Sequence, residues 1–219
     1  MIKTAALRFL AFTLLACLSN FSQATLLVYT TQAAFLTATS AQGTDTYAGL
    51  SITGTTPSPI TRSAGAYGYT AAVSTTSFFG AGTTANPWLS TNTATDTITF
   101  SGFTGGAQAI GGNFFGSDID GIFQIGSILL TATDLNGAIS QTIVNAGTTS
   151  FLGFASSNTL LSLTVSAVQP TGSTLWPTVD NLTLAQLAAP GGQVPEPGSI
   201  ALLLAGLGVM AVGARRRKT

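Results

Sequence analysis

Short segments in which apolar and polar residues alternate recur along the chain between residues 26 and 185. Glycine, asparagine, aspartate and serine separate them, at the spacing of the strands in a β-sandwich. The pattern predicts ten strands, at 26–30, 46–52, 67–73, 96–100, 109–115, 128–133, 139–145, 150–154, 160–168 and 178–185. The sequence has no internal repeat of solenoid length, which disfavours a β-helix. We therefore expect an all-β fold with a single β-sandwich.

Two local signals add detail to this sandwich. Residues 32–37 are predicted to form a short N-terminal helix, because Thr31 can cap the first turn. Phe35 and Leu36 give this helix its apolar face. Asn136-Gly137 predicts a β-hairpin with a two-residue turn, since both residues tolerate the positive φ values that such turns require.

Residues 1–24 are typical of a secretory signal peptide. Two basic residues precede an apolar run, and the small residues Ser22 and Ala24 stand three positions and one position before a signal-peptidase cut after Ala24. The alternative cut lies before Cys17, which would then become the lipidated first residue of a lipoprotein. A cut after Ala24 leaves an exported chain without a thiol, which excludes disulfides and thiolate chemistry.

Residues 198–214 form an uncharged, apolar stretch that is followed by a basic cluster. A helix rises ~1.5 Å per residue, so these 17 residues span roughly 25 Å, and they just reach the ~17–25 residues with which a helix crosses a bilayer core of ~30 Å. The basic cluster would stop transfer and stay in the cytoplasm. A linker rich in glycine, proline and alanine, 188–194, separates this transmembrane helix from the sandwich domain, 25–187.

Three ordered features of residues 195–219 resemble the PEP-CTERM sorting signal, a tail also known as the ice-binding protein C-terminal motif. They are the Pro195-Glu196-Pro197 element, the transmembrane helix, and the arginines Arg215, Arg216 and Arg217. The resemblance implies a Gram-negative bacterium whose exosortase recognises the Pro-Glu-Pro element and removes the helix. It also implies delivery of residues 25–194, referred to below as the body, to the cell surface or to an exopolysaccharide matrix. An ordinary single-pass anchor with a proline-rich stalk is the alternative.

Residues 113–185 resemble the second half of jelly-roll, galactose-binding-like sandwiches on secreted proteins. The resemblance rests on the order and type of residues in Phe114-Phe115, Leu129-Leu130, Phe151-Leu152, Leu163-Thr164 and Val179-Asp180. It implies a jelly-roll fold. It also implies a structural calcium site that includes an acidic residue before the last strand, and Asp180 occupies that place.

Composition narrows the chemistry that the body can perform. Only 6% of the 219 residues are charged, and the chain has no histidine. Residues 25–194 contain one arginine, Arg62, no lysine and six aspartates, a net charge of −5. A surface so poor in basic groups is unsuited to nucleic acid. The missing residue types exclude Ser-His-Asp and Cys-His sites, Schiff-base lysines and histidine-bound zinc.

Asp118 and Asp120 form the acidic pair of the body, and they would face the same way on a strand. Three interpretations are open. The pair can belong to a solvated turn, or it can bind Ca²⁺ because carboxylates at alternate positions converge on hard cations. The third interpretation is glycoside hydrolysis, which two carboxylates can perform when they flank a sugar. No cofactor other than calcium is indicated.

Aromatic residues and threonines supply the remaining candidates. Trp88 and Trp176 lie beside prolines in loop-like contexts, where they can stack on sugar rings or plug the ends of the core. Five threonines alternate with other residues, and in an extended chain they would form one row of methyl and hydroxyl groups, either an ice-binding surface or a solvated sheet face. They are Thr91, Thr93, Thr95, Thr97 and Thr99.

These features predict an exported, non-enzymatic protein of the cell surface or of an exopolysaccharide matrix, with carbohydrate as a candidate ligand. One alternative is a secreted polysaccharide hydrolase that uses aspartate carboxylates, and the other is an anchored ice-binding protein. The expected partners are exosortase, signal peptidase, polysaccharide and, through the C-terminal helix, the inner membrane. Nucleic acid is not an expected partner.

Overall fold

The computed structural model describes residues 26–189, which form two β-sheets and, within that range, one helix. The helix, α1, spans Gln32–Ala38. The strands in chain order are β1 (Leu27–Tyr29), β2 (Thr39–Asp45), β3 (Thr55–Pro57), β4 (Ile60–Ala64), β5 (Tyr67–Val73), β6 (Ser77–Thr83), β7 (Asn86–Thr91), β8 (Thr97–Ser101), β9 (Ala109–Ser117), β10 (Phe123–Gln124), β11 (Gly126–Asp134), β12 (Gly137–Ala146), β13 (Phe151–Ala155), β14 (Leu160–Val168) and β15 (Trp176–Leu187).

The two sheets are antiparallel and pack against each other as a sandwich. The nine-stranded sheet has the order β1-β13-β9-β15-β7-β6-β3, with β10 beside β9 and β2 beside β15. The six-stranded sheet has the order β12-β11-β14-β8-β5-β4. Antiparallel sheets with one buried face produce the apolar and polar alternation seen in the sequence. The predicted all-β sandwich is therefore confirmed.

Large aromatic side chains fill the space between the sheets. Phe78, Phe100, Phe114, Phe115 and Phe154 are all fully buried in this core. A smaller apolar cluster under α1 is formed by Phe35, Ala109, Ala155 and Ala185. Burial of one such aromatic side chain contributes about 1.5–3 kcal/mol, so each of these five rings is a substantial source of stability.

Helix α1 forms where the sequence predicts it. Thr31 caps the helix, since its Oγ1 accepts a hydrogen bond from the Ala34 amide at 3.3 Å. Phe35 is fully buried against β9, β13 and β15, but Leu36 on the predicted apolar face is 40% exposed. The helix is thus held by one aromatic anchor.

The predicted strand at 46–52 is wrong. Tyr47 has a positive φ of 55°, and its carbonyl accepts a hydrogen bond from the Leu50 amide at 3.0 Å, so the chain turns here. The strand of this region lies upstream, as β2. The prediction also missed β3, β4, β6, β7 and β10, because glycine, serine, threonine and proline obscure their apolar alternation.

The predicted hairpin is present between β11 and β12, with its turn shifted by one residue. Asp134 pairs with Gly137, so Leu135 and Asn136 are the two turn residues. Asp134 Oδ1 accepts hydrogen bonds from the Asn136 amide at 2.7 Å and from the Gly137 amide at 3.1 Å. The aspartate at the start of the turn therefore fixes the hairpin register.

Strands β2 and β4 join the two sheets at one corner. Gly43 in β2 packs so closely on the backbone of Ala64 in β4 that a side chain at Gly43 has no room. Beside this contact, Arg62 Nε and Nη2 donate to Asp45 Oδ2 and Oδ1 at 2.6 and 2.8 Å. The Tyr69 hydroxyl donates to the same carboxylate at 2.7 Å. A buried ion pair thus links one sheet to the other.

Within residues 26–189, no helix has the length and apolar character that crossing a membrane requires. The predicted signal peptide at 1–24 and the predicted transmembrane helix at 198–214 lie outside the described residues. Of the predicted linker, 188–194, the structure describes only the first two residues.

Candidate functional site

The surface formed by residues 26–189 carries very little charge. Four of its six aspartates are buried, and its one arginine, Arg62, is engaged in the ion pair. The buried aspartates are Asp45, Asp96, Asp134 and Asp180. The accessible carboxylates of this part of the chain are therefore Asp118 and Asp120, which share one loop.

This loop follows β9 and is organised by the Asp118 side chain. Asp118 Oδ1 accepts hydrogen bonds from the amides of Asp120 at 3.0 Å and Ile122 at 2.9 Å. Gly121 has a φ of +74° and lies against Ala81 in β6. Asp118 and Asp120 therefore lie in a tight turn, and the expectation that they face the same way on a strand is wrong.

A pocket of about 250 Å³ opens beside the loop. It is lined by Phe79, Ser90, Thr91, Asn92, Ser117, Asp118, Ile119, Gly121 and Trp176. Trp176 begins β15 and pairs with Ser117 of β9, which brings its ring next to the loop. Two residues singled out in the sequence, Asp118 and Trp176, thus lie at one site, whereas Asp120 is not among the lining residues.

Ser90 and Ser117 of the pocket lining are joined to Thr178, which is outside the lining, by hydrogen bonds between buried hydroxyl groups. Thr178 Oγ1 donates to Ser117 Oγ at 2.9 Å and lies 3.1 Å from Ser90 Oγ. Ser90 Oγ donates to the Pro177 carbonyl at 3.1 Å. These contacts connect β7, β9 and β15 and so fix the pocket wall. The sequence contains so many serines and threonines that nothing in it distinguished these three.

Trp88 is not part of the pocket lining. Its ring packs edge-on against Phe115, with the ring centroids 4.9 Å apart, and it adjoins the main core. Its indole nitrogen is buried and has no hydrogen-bond partner among the described residues. The position fits the alternative interpretation of Trp88 as a residue that closes the core.

The three aspartates predicted to bind calcium do not gather at one point. Asp180 pairs with Asn113 in the middle of the β9–β15 ladder, away from the turn that holds Asp118 and Asp120. No cluster of three acidic, histidine or cysteine side chains suited to a metal occurs within residues 26–189. The reason is topological, since the β9–β15 register separates these carboxylates along the strands.

Asp180 nevertheless has oxygen-rich surroundings. It accepts a hydrogen bond from the Asn181 amide at 2.7 Å, and Asn181 Nδ2 donates to Asn113 Oδ1 at 3.3 Å. Asn181 has a φ of +53° at an irregularity in the strand pairing, which turns its side chain toward Asn113. One carboxylate with amide oxygens is fewer than the six to eight oxygens that Ca²⁺ takes, so main-chain oxygens or water would have to complete a site.

Burial raises the pKa of Asp180 above its ordinary value, against the opposing effect of hydrogen bonds from Asn181 and Asn86. A raised pKa means that the folded state favours the protonated form. Protonated Asp180 therefore contributes stability below the ordinary aspartate pKa. This contribution is lost as the pH rises through the pKa of Asp180 in the folded protein.

We expect Asp180→Asn to raise the melting temperature at pH 7 in a calcium chelator, because the neutral amide removes a buried charge. At pH 3, where Asp180 is protonated, the difference should largely vanish. Thermal melts at both pH values, with and without added calcium, measure this. If Asp180 binds calcium, the ion stabilises the wild type and the variant becomes the less stable protein. A variant that melts lower at pH 7 even in chelator would contradict the expectation.

The prediction that five threonines form a single row is wrong, because they lie on both sheets and on the loop between them. Thr91 is buried at the end of β7 in the nine-stranded sheet, while Thr97 and Thr99 lie on β8 in the six-stranded sheet. The chain between them crosses from one sheet to the other. Thr99 instead continues across the sheet through Thr164 to Thr131, so hydroxyl groups solvate this uncharged outer face.

A more open pocket of about 430 Å³ lies elsewhere on the sandwich. Phe103, Gln108, Asn158 and Leu160 are among its lining residues, and none of the residues that line it is charged. It combines fewer chemical features than the pocket at Trp176, which unites a carboxylate, an amide, hydroxyls and two aromatic rings.

Comparison with known proteins identifies the C-terminal tail. The PEP-CTERM protein-sorting motif matches residues 193–218, a span that contains Pro195, Glu196, Pro197 and the predicted arginine cluster. No curated protein and no solved structure matches the chain. The motif indicates an exported protein that passes through a membrane and is processed by an exosortase, as the sequence predicts.

Proposed function

We propose that this exosortase-sorted protein is a non-enzymatic component of the cell surface or of an exopolysaccharide matrix, where it binds carbohydrate in the pocket at Trp176. The observation that carries the proposal is the convergence of Trp176, Phe79, Asn92 and Asp118 on one small cavity. The jelly-roll, galactose-binding-like resemblance of residues 113–185 supports a sugar as the ligand.

The pocket suits a sugar ring in size and chemistry. Its volume is below the ~300–1,000 Å³ of pockets for drug-sized ligands, which favours a single sugar unit. Aromatic rings offer apolar faces to the C–H groups of a sugar, and Asp118 and Asn92 offer hydrogen bonds to its hydroxyls. Asp118 Oδ2 has no hydrogen-bond partner within residues 26–189, so it is available to a ligand.

The negative charge beside the pocket indicates which carbohydrates it can bind. The accessible charge of residues 26–189 is negative and is concentrated on the loop beside the pocket. Acidic polysaccharides would be repelled at this loop, since like charges at close range disfavour binding. A neutral glycan is the ligand class that these features favour.

A binding role accounts for the pocket better than hydrolysis does. Glycoside hydrolysis in its common forms needs two carboxyl groups around the scissile bond. Asp118 lines the pocket, but Asp120 does not, and the pocket lining contains no other acidic residue. Asp118 Oδ1 is also committed to two backbone amides of its own turn.

We expect Trp176→Ala to weaken binding of a neutral oligosaccharide about 30-fold or more, because buried aromatic anchors contribute about 2 kcal/mol or more to binding. Asp118→Asn should weaken it about tenfold through the loss of a charge-assisted hydrogen bond. A glycan array with the purified protein identifies the ligand, and calorimetry with the two variants measures the changes.

Asp120→Asn is the matched control, since it removes the same charge from the same loop but not from the pocket lining. Its affinity should equal that of the wild type. A hydrolase would release reducing sugar ends during the assay and would lose this activity in Asp118→Asn. Equal binding by Trp176→Ala and the wild type would refute the pocket as the site.

A further inference from the structure

Strand β12 forms a long, open edge of the six-stranded sheet. Among the described residues its only strand neighbour is β11, so one side of its backbone is unpaired. The strand spans Gly137–Ala146 and contains no charged residue and no proline. Its pairing with β11 shifts register near the C-terminal end, where Asn145 has a φ of +51°, so the regular edge is formed by residues 138–143. Unpaired strand edges of this kind present a row of amide and carbonyl groups that can pair with another strand.

The other sheet edges have the protection that β12 lacks. β1 and β3 each have three residues, β3 ends in Pro57, and β10 has only two residues. β2, whose strand partner is β15, packs against α1 and against β4 of the other sheet. β4 has five residues and carries the one arginine of the body, and it also contacts β2 of the other sheet. Short length, proline, charge and covering elements all discourage pairing at an edge. Association through strand pairing is therefore directed to β12.

The register of the β11–β12 hairpin determines which backbone amides and carbonyls of β12 point away from β11. Asp134 and Gly137 close the two-residue turn as a hydrogen-bonded pair. Hydrogen-bonded and non-bonded residues alternate along an antiparallel pair. Ala138, Ser140 and Thr142 consequently direct their amides and carbonyls away from β11, toward the open edge.

We propose that β12 pairs with β12 of a second copy of this chain, antiparallel about a twofold axis at Gln141. This register places Ser140 opposite Thr142, so their outward amides and carbonyls bond to each other. It also places Ile139 opposite Ile143 on the inner face. Both isoleucines are only partly buried at the margin of the core, so the pairing would extend the core across the interface.

Self-complementarity favours a second copy over an unrelated partner. The same register places Ala138 opposite Val144, which is 68% exposed, on the outer face. Apolar residues thus meet apolar residues on both faces, Ser140 meets Thr142 on the outer face, and Gln141 meets its own copy on the inner face, as an isologous interface requires. Because the other edges are protected, association stops at a dimer. The two six-stranded sheets then form one continuous sheet of twelve strands.

A cysteine at the twofold axis tests this pairing directly. Gln141 and its symmetry mate would form a non-hydrogen-bonded pair with Cα atoms ~4.5 Å apart, within the range for a disulfide. We expect Gln141→Cys, in the full chain with Cys17→Ser, to form a covalent dimer on mild oxidation. The matched control is Thr61→Cys on the β4 edge, which should yield at least tenfold less dimer.

Sedimentation of the wild type should show a dimer that dissociates on dilution, since pairing of one strand buries a small area. Thr142→Pro removes an outward amide and should yield a monomer with unchanged circular dichroism. A second substitution, Val144→Lys, adds charge to the edge and should also favour the monomer. This variant tests the pairing even if Thr142→Pro does not fold. A monomeric wild type, assemblies larger than a dimer, or equal crosslinking of Gln141→Cys and Thr61→Cys would overturn the proposal.

Discussion

Replacement of Arg62 by methionine is expected to lower the free energy of unfolding by about 3 kcal/mol, the lower end of the range for removing one partner of a buried ion pair, because the Arg62 side chain is 21% exposed. Arg62 is the partner that neutralises Asp45, whose side chain is 5% exposed. Methionine retains much of the apolar stem but leaves the carboxylate charged inside the protein. Urea denaturation followed by circular dichroism at pH 7 measures the loss.

The double variant Asp45→Asn with Arg62→Met supplies the control. It removes both charges, so it should be more stable than Arg62→Met alone, and the difference is the penalty for the unpaired carboxylate. A double variant that is no more stable than Arg62→Met would show that the ion pair contributes little and that the packing of the arginine stem dominates.

The same ion pair predicts how stability responds to acid. Burial alone would raise the pKa of Asp45, but hydrogen bonds from Arg62, Tyr69 and the Tyr47 amide hold it below its ordinary value. The stability that Asp45 provides is therefore present above the ordinary aspartate pKa and is lost as the pH falls through the lowered value. The stability gap between the wild type and Arg62→Met should accordingly narrow below about pH 4.

Replacement of Pro195, Glu196 and Pro197 by alanine is expected to abolish release of the protein from the membrane fraction. The prolines disfavour upstream extension of the predicted transmembrane helix, so the sequence predicts an extended and accessible Glu196. Alanines remove both the recognition element and this helix boundary. Immunoblots of the inner-membrane, outer-membrane and extracellular fractions measure the change.

Gly191→Ala is the matched control, because it alters the linker but lies outside the matched motif. It should be released like the wild type. Release of the triple-alanine variant at the wild-type level would show that the Pro-Glu-Pro element is not needed for export.

The sequence was sufficient for the class of fold because β5, β11 and β14 alternate between buried and more exposed positions. β5 and β14 lie at the residues predicted for them, and β11 and β12 differ only at their ends. The first half was harder, since Ser77–Thr83 and Asn86–Thr91 contain small residues and a proline in place of regular apolar positions. These two strands pair with each other, and their other neighbours are β3 and the distant β15.

Two residues of the candidate site could be picked out from the sequence, but their proximity could not. Asp118 and Trp176 stood out as a carboxylate in a turn and an aromatic beside a proline, but they are separated by more than fifty residues in the sequence. Only the β9–β15 register, with Ser117 opposite Trp176, brings them together. Phe79 and Asn92 had no distinguishing signal, because their role follows from the pairing of β6 with β7.

Mass spectrometry of the C-terminus of the exported protein shows whether the tail is a temporary sorting signal for a surface or matrix protein. We expect an extracellular form that ends near Glu196 and lacks residues 215–218. Recovery of the chain only in the inner membrane, with residues 215–218 intact, would contradict it and favour the ordinary membrane anchor.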